Sequence, residues 1–211
     1  MSEYKDYGYQ IANNDHTEGY LVDNILSLLD KNKNKLILDV GCGNGWLTAI
    51  LIQNGFNVYG TDASESGIKI ANQRKESNEK QRFFVQDLSK DTLPNEISVL
   101  KFDTIISTEV IEHLYDPRKY ISFCKQVLQQ NGGGQILITT PYHGYLKNVL
   151  LSITGKMDAH FTALWDGGHI KFWSKKTLTQ LLEENDFKVT DFVGCGRLPY
   201  LWKSMLIKAK I

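Results

Sequence analysis

The chain has 211 residues, enough for one domain that buries roughly 70% of its extended surface. Its hydrophobic fraction is 42% and its charged fraction 23%, a balance that excludes disorder driven by composition. The 24 basic and 24 acidic side chains cancel, and a neutral chain is a poor candidate for a protein built mainly to hold nucleic acid.

A polar, aromatic arm is expected over residues 1–16, with Tyr4, Tyr7 and Tyr9. Thr17 to Lys31 reads as a helix, because Leu21, Ile25, Leu28 and Leu29 share one face and Asn32 to Asn34 stop it. Leu36 to Val40 is a buried strand. Trp46 to Asn54 is a helix stopped by Gly55. Asn57 to Thr61 is a second strand, and Glu65 to Arg74 a helix capped by Ser64. Arg82 to Val85 and Phe102 to Ser107 are the third and fourth strands. Pro117 to Gln130 is a helix with proline in its first turn, and Gly134 to Thr140 is a fifth strand ended by Pro141. Lys175 to Asn185 is a helix, and Phe187 to Val193 and Trp202 to Lys208 are late strands. The alternation predicts a single α/β domain over residues 1–211. It is a Rossmann-like, doubly wound sheet of about seven mostly parallel strands with an antiparallel C-terminal strand and helices on both faces.

Cys42, Cys124 and Cys195 form no CxxC pair and are odd in number, which points away from a disulfide framework and toward a reducing, cytoplasmic setting. The first residues lack a signal pattern, and no apolar run approaches the roughly 20 residues needed to span a bilayer.

Ligands of doubly wound sheets bind beyond the carboxyl ends of the strands. After the first strand stands Asp39-Val40-Gly41-Cys42-Gly43-Asn44-Gly45-Trp46. Its glycines permit a tight turn and close ligand approach. A dinucleotide fingerprint wants a further glycine where Trp46 stands, so a nicotinamide enzyme is disfavoured. After the second strand, Asp62 is placed to accept ribose hydroxyls. After the third, Asp87 is placed to accept the amine of an adenine, with Leu88 packing near the ring.

These residues, together with Thr108-Glu109-Val110-Ile111-Glu112-His113-Leu114, resemble the class I S-adenosylmethionine-dependent methyltransferases. The resemblance implies that Asp39 and the loop of Gly41, Cys42, Gly43 and Gly45 border the methionine end of the cofactor. It implies that Asp62 holds the ribose with Ala63 beside the adenine, that Asp87 and Leu88 meet the adenine, and that the Thr108 backbone faces the methionine and its methyl. The implied reaction is an in-line displacement at that methyl, with much of the catalysis coming from positioning.

If a helical turn follows the fourth strand, Glu109, Glu112 and His113 share a face. Such a cluster suits a divalent metal or a general base. Glu109 to His113, with the later His169, is similar to two branches of the family. These are the ubiquinone-biosynthesis O-methyltransferases, which act on catechol-like phenols and are the more similar, and the small-RNA 3′-terminal 2′-O-methyltransferases. By position the resemblance implies Glu109, Glu112, His113 and His169 as ligands of a divalent metal, magnesium or zinc. Metal-free members of the superfamily carry a similar sequence, so the alternative is catalysis by His113 and Glu109 without a metal, or a structural role.

Between the fifth strand and the next helix, residues 141–173 read as a substrate lid. Tyr142, His143, His160 and Trp165 are the candidate acceptor-binding residues. Tyr145 to Thr154 is expected to be an amphipathic helix with Leu146, Val149, Leu150 and Ile153 on one face. That face has three readings: core packing, a pocket for an apolar acceptor, or contact with a membrane surface or partner. The overall expectation is O-methylation of a small-molecule or lipid- or glycan-linked acceptor. The alternatives are N- or C-methylation of a metabolite, RNA 2′-O-methylation, which the neutral charge disfavours, and a cofactor-binding regulatory module. The oligomeric state is not legible in the sequence.

Overall fold

The computed structural model describes residues 18–77, 80–88, 91–165 and 167–211. The expected arm, residues 1–16, lies outside the described residues. Seven strands form one sheet: β1 (Ile37–Val40), β2 (Val58–Asp62), β3 (Phe83–Val85), β4 (Thr104–Thr108), β5 (Gln135–Pro141), β6 (Lys188–Cys195) and β7 (Ser204–Lys210). Their order is β3-β2-β1-β4-β5-β7-β6. The first five run parallel, while β7 is antiparallel to both β5 and β6.

Strands buried on both faces read as continuous apolar runs, and β1 is buried at all four positions. The helices α1 (Val22–Ser27), α2 (Trp46–Gln53), α3 (Glu65–Ala71), α4 (Pro117–Gln129), α5 (Tyr145–Ile153), α6 (Met157–Phe161) and α7 (Lys175–Glu183) accompany the sheet. Two main clusters of buried side chains result. One gathers Leu38, Phe102, Ile136 and Leu182, and the other Ile25, Leu51, Val58 and Leu206. The strand order reverses between β1 and β4, the position beside which ligands of such sheets bind, beyond the strands' carboxyl ends.

The caps follow the sequence. Ser64 Oγ accepts from Gly67 N–H, Pro117 opens α4, and Ser174 caps α7 in a reciprocal box with Thr177. Past α2, Gly55 adopts φ 83° and Phe56 N–H returns to the Leu51 carbonyl, closing the helix.

Several boundaries differ from expectation by a few residues; α3, for one, ends at Ala71 rather than Arg74. The helix foreseen over Thr17 to Lys31 is a 3-10 turn, Glu18–Tyr20, followed by α1. After Ser27 the amides of Leu28 and Leu29 bond three residues back, so the last turn tightens and ends. The last strand begins two residues late, because Lys203 N–H bonds to the carbonyls of Cys195 and Gly196 as part of the β6–β7 turn. Pro141 remains inside β5 and pairs with Ser204.

Candidate active site and cofactor crevice

The residues expected to meet a cofactor stand at the ends of four strands. Asp39, in β1, is fully buried and accepts a hydrogen bond from the Thr48 hydroxyl. Burial pushes its carboxyl up to about 7, with the charge of Asp62 adding to the effect. The loop then turns through Gly41, Gly43 and Gly45 at φ 80°, 52° and 75°. A Cβ at Gly41 would stand 2.2 Å from Val110 Cγ2, and one at Gly45 would stand 2.7 Å from the Phe83 ring. Glycine is needed there by conformation and by space.

Asp62 closes β2 and locks the loop. Its carboxylate accepts from Gly43 N–H at 2.8 Å and from Ser64 N–H at 2.7 Å. Arg74 Nε donates to the Asn44 carbonyl from the other side. Cys42 is buried against Gly60, and Ala63 lies half-buried between Asp62 and the Ser64 cap. Beyond β3, Asp87 is exposed while Leu88 packs on the main core. Thr108 ends β4, paired with Thr139 of β5. The predicted cofactor residues therefore converge on one edge of the sheet.

After β4 the chain takes an unusual path. Glu109 adopts φ 54°, and only then does a short 3-10 turn, Ile111–His113, begin. The expected common face of Glu109, Glu112 and His113 is broken by that left-handed residue. The Glu109 carboxylate turns onto the sheet end, accepting from the hydroxyls of Thr139 at 2.9 Å and Ser204 at 3.2 Å. Ser204 in turn meets the Tyr20 hydroxyl at 2.9 Å. Burial pushes Glu109 up to about 7 and Tyr20 up to about 12.

Glu112, His113 and His169 instead come together, with one ligand atom from each all within 4.8 Å of one another. Glu112 is completely buried. Its Oε2 accepts from Thr140, its Oε1 has no hydrogen-bond partner, and its backbone carbonyl accepts from Ile170 and Lys171. Burial, and then the charge of Glu109, hold its carboxyl well above the usual range. His113 Nδ1 lies 3.0 Å from the Gly167 carbonyl and 3.3 Å from that of Gly168. A carbonyl only accepts, so Nδ1 carries the proton and Nε2 keeps its lone pair. Burial lowers the His113 pKa and takes that of His169 down to about 4, favouring neutral imidazoles. The set fits a divalent cation: an orphaned buried carboxylate oxygen, two neutral imidazoles, and one imidazole fixed by backbone carbonyls as metal-bound histidines commonly are. Glu109 is not part of this convergence.

The lid places its candidates in three settings. Tyr142 is buried edge-on to Trp202 at 5.0 Å, within the core. His143 and His160 join Phe161 and Phe172 in an aromatic cluster with centroids 4.9–5.8 Å apart. Trp165 stands edge-on to His113 at 6.0 Å and to His169 at 5.7 Å, against the candidate metal site. The lid holds a second helix, α6, that the sequence did not announce. Leu146, Leu150 and Ile153 are exposed rather than packed as core, and α5 buries Lys147. Sequence reasoning also missed Thr139, Thr140 and Ser204, which hold the two glutamates. Ser204 stands 95 residues from Glu109, and no local pattern marks it.

The sequence model of a family described as "Methyltransferase domain" matches residues 14–191. The chain belongs to that methyltransferase family. The methyltransferase is 31% identical over 199 residues to the human mitochondrial ubiquinone biosynthesis O-methyltransferase, an alignment covering 89% of this chain and 52% of that protein. It is 32% identical over 169 residues to the ubiquinone biosynthesis O-methyltransferase of Coxiella burnetii, covering 77% of this chain and 67% of that one. The chain thus spans about half to two thirds of the length of these relatives. A similar fold occurs in the magnesium protoporphyrin IX methyltransferase of Synechocystis PCC 6803 solved with bound SAH. That match has a TM-score of 0.65 and 23% identity, and covers 90% of this chain and 81% of that one. Among the described residues of the methyltransferase, no helix is long and apolar enough to cross a membrane.

Proposed function

We propose that this methyltransferase transfers the methyl of S-adenosylmethionine to a hydroxyl of a small molecule, a phenol or vicinal diol of catechol type. The observation that carries this reading is the fixed His113 imidazole beside Glu112 and His169, next to the end of β4 where the cofactor's methyl would lie. A hydroxyl acceptor must lose a proton. Without a cation the free Nε2 of His113 can receive it, and with a cation held there the ion would instead lower the acceptor's pKa so that the proton leaves to solvent.

The cofactor residues divide the work by strand. Asp62 would accept the ribose hydroxyls while staying bonded to the loop. Ala63, Asp87 and Leu88 would border the adenine. Asp39, Gly41, Cys42, Gly43, Gly45 and Thr108 would border the methionine end. The cofactor supplies an already electrophilic methyl, so the chain's task is to hold the acceptor oxygen in line and keep water out. Trp165, edge-on to the histidines, would help cover the reacting region.

Glu112, His113 and His169 would hold a divalent cation; two imidazoles favour a zinc-like ion over magnesium. Such an ion would lower the acceptor's pKa and orient its oxygen. Glu109, held by Thr139 and Ser204, would line the space between cofactor and acceptor.

The test is transfer of labelled methyl to catechol and to phenol, with zinc, magnesium, manganese or a chelator present. Transfer to catechol, a chelator-sensitive rate, and a loss of about a hundredfold or more in kcat for H113Q with little change in cofactor affinity are expected. Loss of cofactor affinity with kcat unchanged would remove His113 from the chemistry.

A further inference from the structure

Helix α5 is packed inside out. Its exposed positions include Tyr145 at 85%, Leu146 at 46%, Leu150 at 39% and Ile153 at 76%, while Lys147 is 7% exposed. A helix packed for stability buries its leucines and leaves its lysine in water, since a buried ammonium is costly unless paired. Among the described residues no carboxylate lies within ion-pair distance of Lys147. Its Nζ has the Lys203 carbonyl at 3.3 Å as its hydrogen-bond acceptor. Glu109 is the acidic group that acts on it; that carboxylate accepts from the hydroxyls of Thr139 and Ser204 and is not within ion-pair distance.

Besides Glu109, the titratable groups that act with Lys147 are His143, His160 and Arg197. His143 is 7% exposed and its Nδ1 has no partner at hydrogen-bonding geometry; the side chain of Asn148, whose Oδ1 is likewise buried and unpartnered, acts on the ring as an acceptor. The His160 ring lies 5.3 Å from that of His143, centroid to centroid, and its Nε2 is likewise buried without a partner. Arg197, on the turn after β6, acts on both Lys147 and His160. Burial and the positive charge of Lys147 take His143 down to about 4, and burial takes Lys147 down to about 8. These groups hold one another short of charge, as they would where a counter-charge belongs.

We propose that Lys147, His143 and His160 form a subsite, under the lid, for an anionic group such as a carboxylate or phosphate carried by the methyl acceptor. An oxyanion there would take a charge-assisted bond from Lys147 and satisfy the two unpartnered ring nitrogens. The apolar stripe faces outward because the inward face is reserved for this contact. The inference rests on the reading that the space beneath the lid takes the acceptor.

Two measurements test it. The first is an NMR titration of the histidine ring protons with benzoate, phenyl phosphate and neutral benzyl alcohol, in wild type, K147Q and K147R, each shown by thermal melt to be folded. Benzoate or phenyl phosphate is expected to shift His143 and His160, benzyl alcohol to leave them still, and the anion affinity to fall about tenfold or more in K147Q but much less in K147R. The tighter of the two anions identifies the group preferred. The second compares methyl transfer to catechol and to catechol bearing a ring carboxylate; the preference for the carboxylated ring should fall about tenfold or more in K147Q. Equal binding of neutral and anionic probes, or undiminished anion binding in K147Q, overturns the subsite. If neither diol is methylated, the acceptor reading fails, and the titration alone still decides whether an anion binds here.

Discussion

At the scale of single residues, the glycine-rich loop after β1 shows how far a local pattern can specify a turn. Gly41 needs a left-handed backbone, and a Cβ there would overlap Val110. Gly41→Ala should therefore destabilise the protein by about 2–4 kcal/mol, from overpacking together with the left-handed penalty. It should also weaken S-adenosylmethionine binding, because Val110 can move only by disturbing the segment between β4 and His113. Urea denaturation and calorimetric titration check both, and wild-type stability in the variant would contradict the packing argument. Gly41, Gly43, Gly45 and Asp62 were legible in the sequence because the turn's demands are local and each follows a strand at fixed spacing. Glu109 was legible as a functional candidate but not in its orientation. The left-handed φ that turns it from His113 toward Ser204 depends on contacts with β5 and β7, which no window around residue 109 contains.

At the scale of elements, the strands and the helices α2, α3, α4 and α7 were readable because buried strands and capped amphipathic helices obey short-range rules. The lid was readable only in part. Its α5 was visible from apolar spacing, but the periodicity could not say which face turns inward; the structure buries Lys147 and leaves the leucines out. The far end of the lid is anchored where Ser174 caps α7. Its side chain accepts from Thr177 N–H, while the Thr177 hydroxyl accepts from Ser174 N–H. Ser174→Ala removes half of that box and should cost about 1 kcal/mol, a drop in Tm of roughly 2–4 °C for a chain of this size. Since α7 presents Leu178, Leu181 and Leu182 to the core and contributes no cofactor residue, cofactor affinity should not move. A Tm change is read by calorimetry. A loss of cofactor affinity at unchanged Tm would mean that the cap serves the site rather than the helix.

At the scale of the whole molecule, two buried groups set opposing slopes on stability against pH. Burial raises Asp39 from 3.8 to about 7, so between those values the folded chain holds a proton that the unfolded chain has lost. Stability from this group is complete below pH 3.8 and is lost as pH rises toward 7. Burial lowers His143 from 6.5 to about 4, so the unfolded chain takes up a proton that the folded chain refuses. Stability from this group is complete above pH 6.5 and is lost as pH falls toward 4. The two slopes oppose each other across nearly the same window; the raised Glu109 and Glu112 add to the first and the lowered His169 to the second. Asp39→Asn keeps an acceptor for the Thr48 hydroxyl but removes the titration. The shift of Asp39, at about 1.4 kcal/mol per pH unit, corresponds to roughly 4 kcal/mol at most. The variant should therefore gain on the wild type, without bound cofactor, by up to that amount between pH 4 and pH 7. Groups common to both proteins cancel in the difference, so urea midpoints at pH 4, 5.5 and 7 suffice. A difference that stays constant with pH would show that Asp39 is already ionised in the folded chain, and the buried carboxyl would then need a positive partner that its surroundings do not provide.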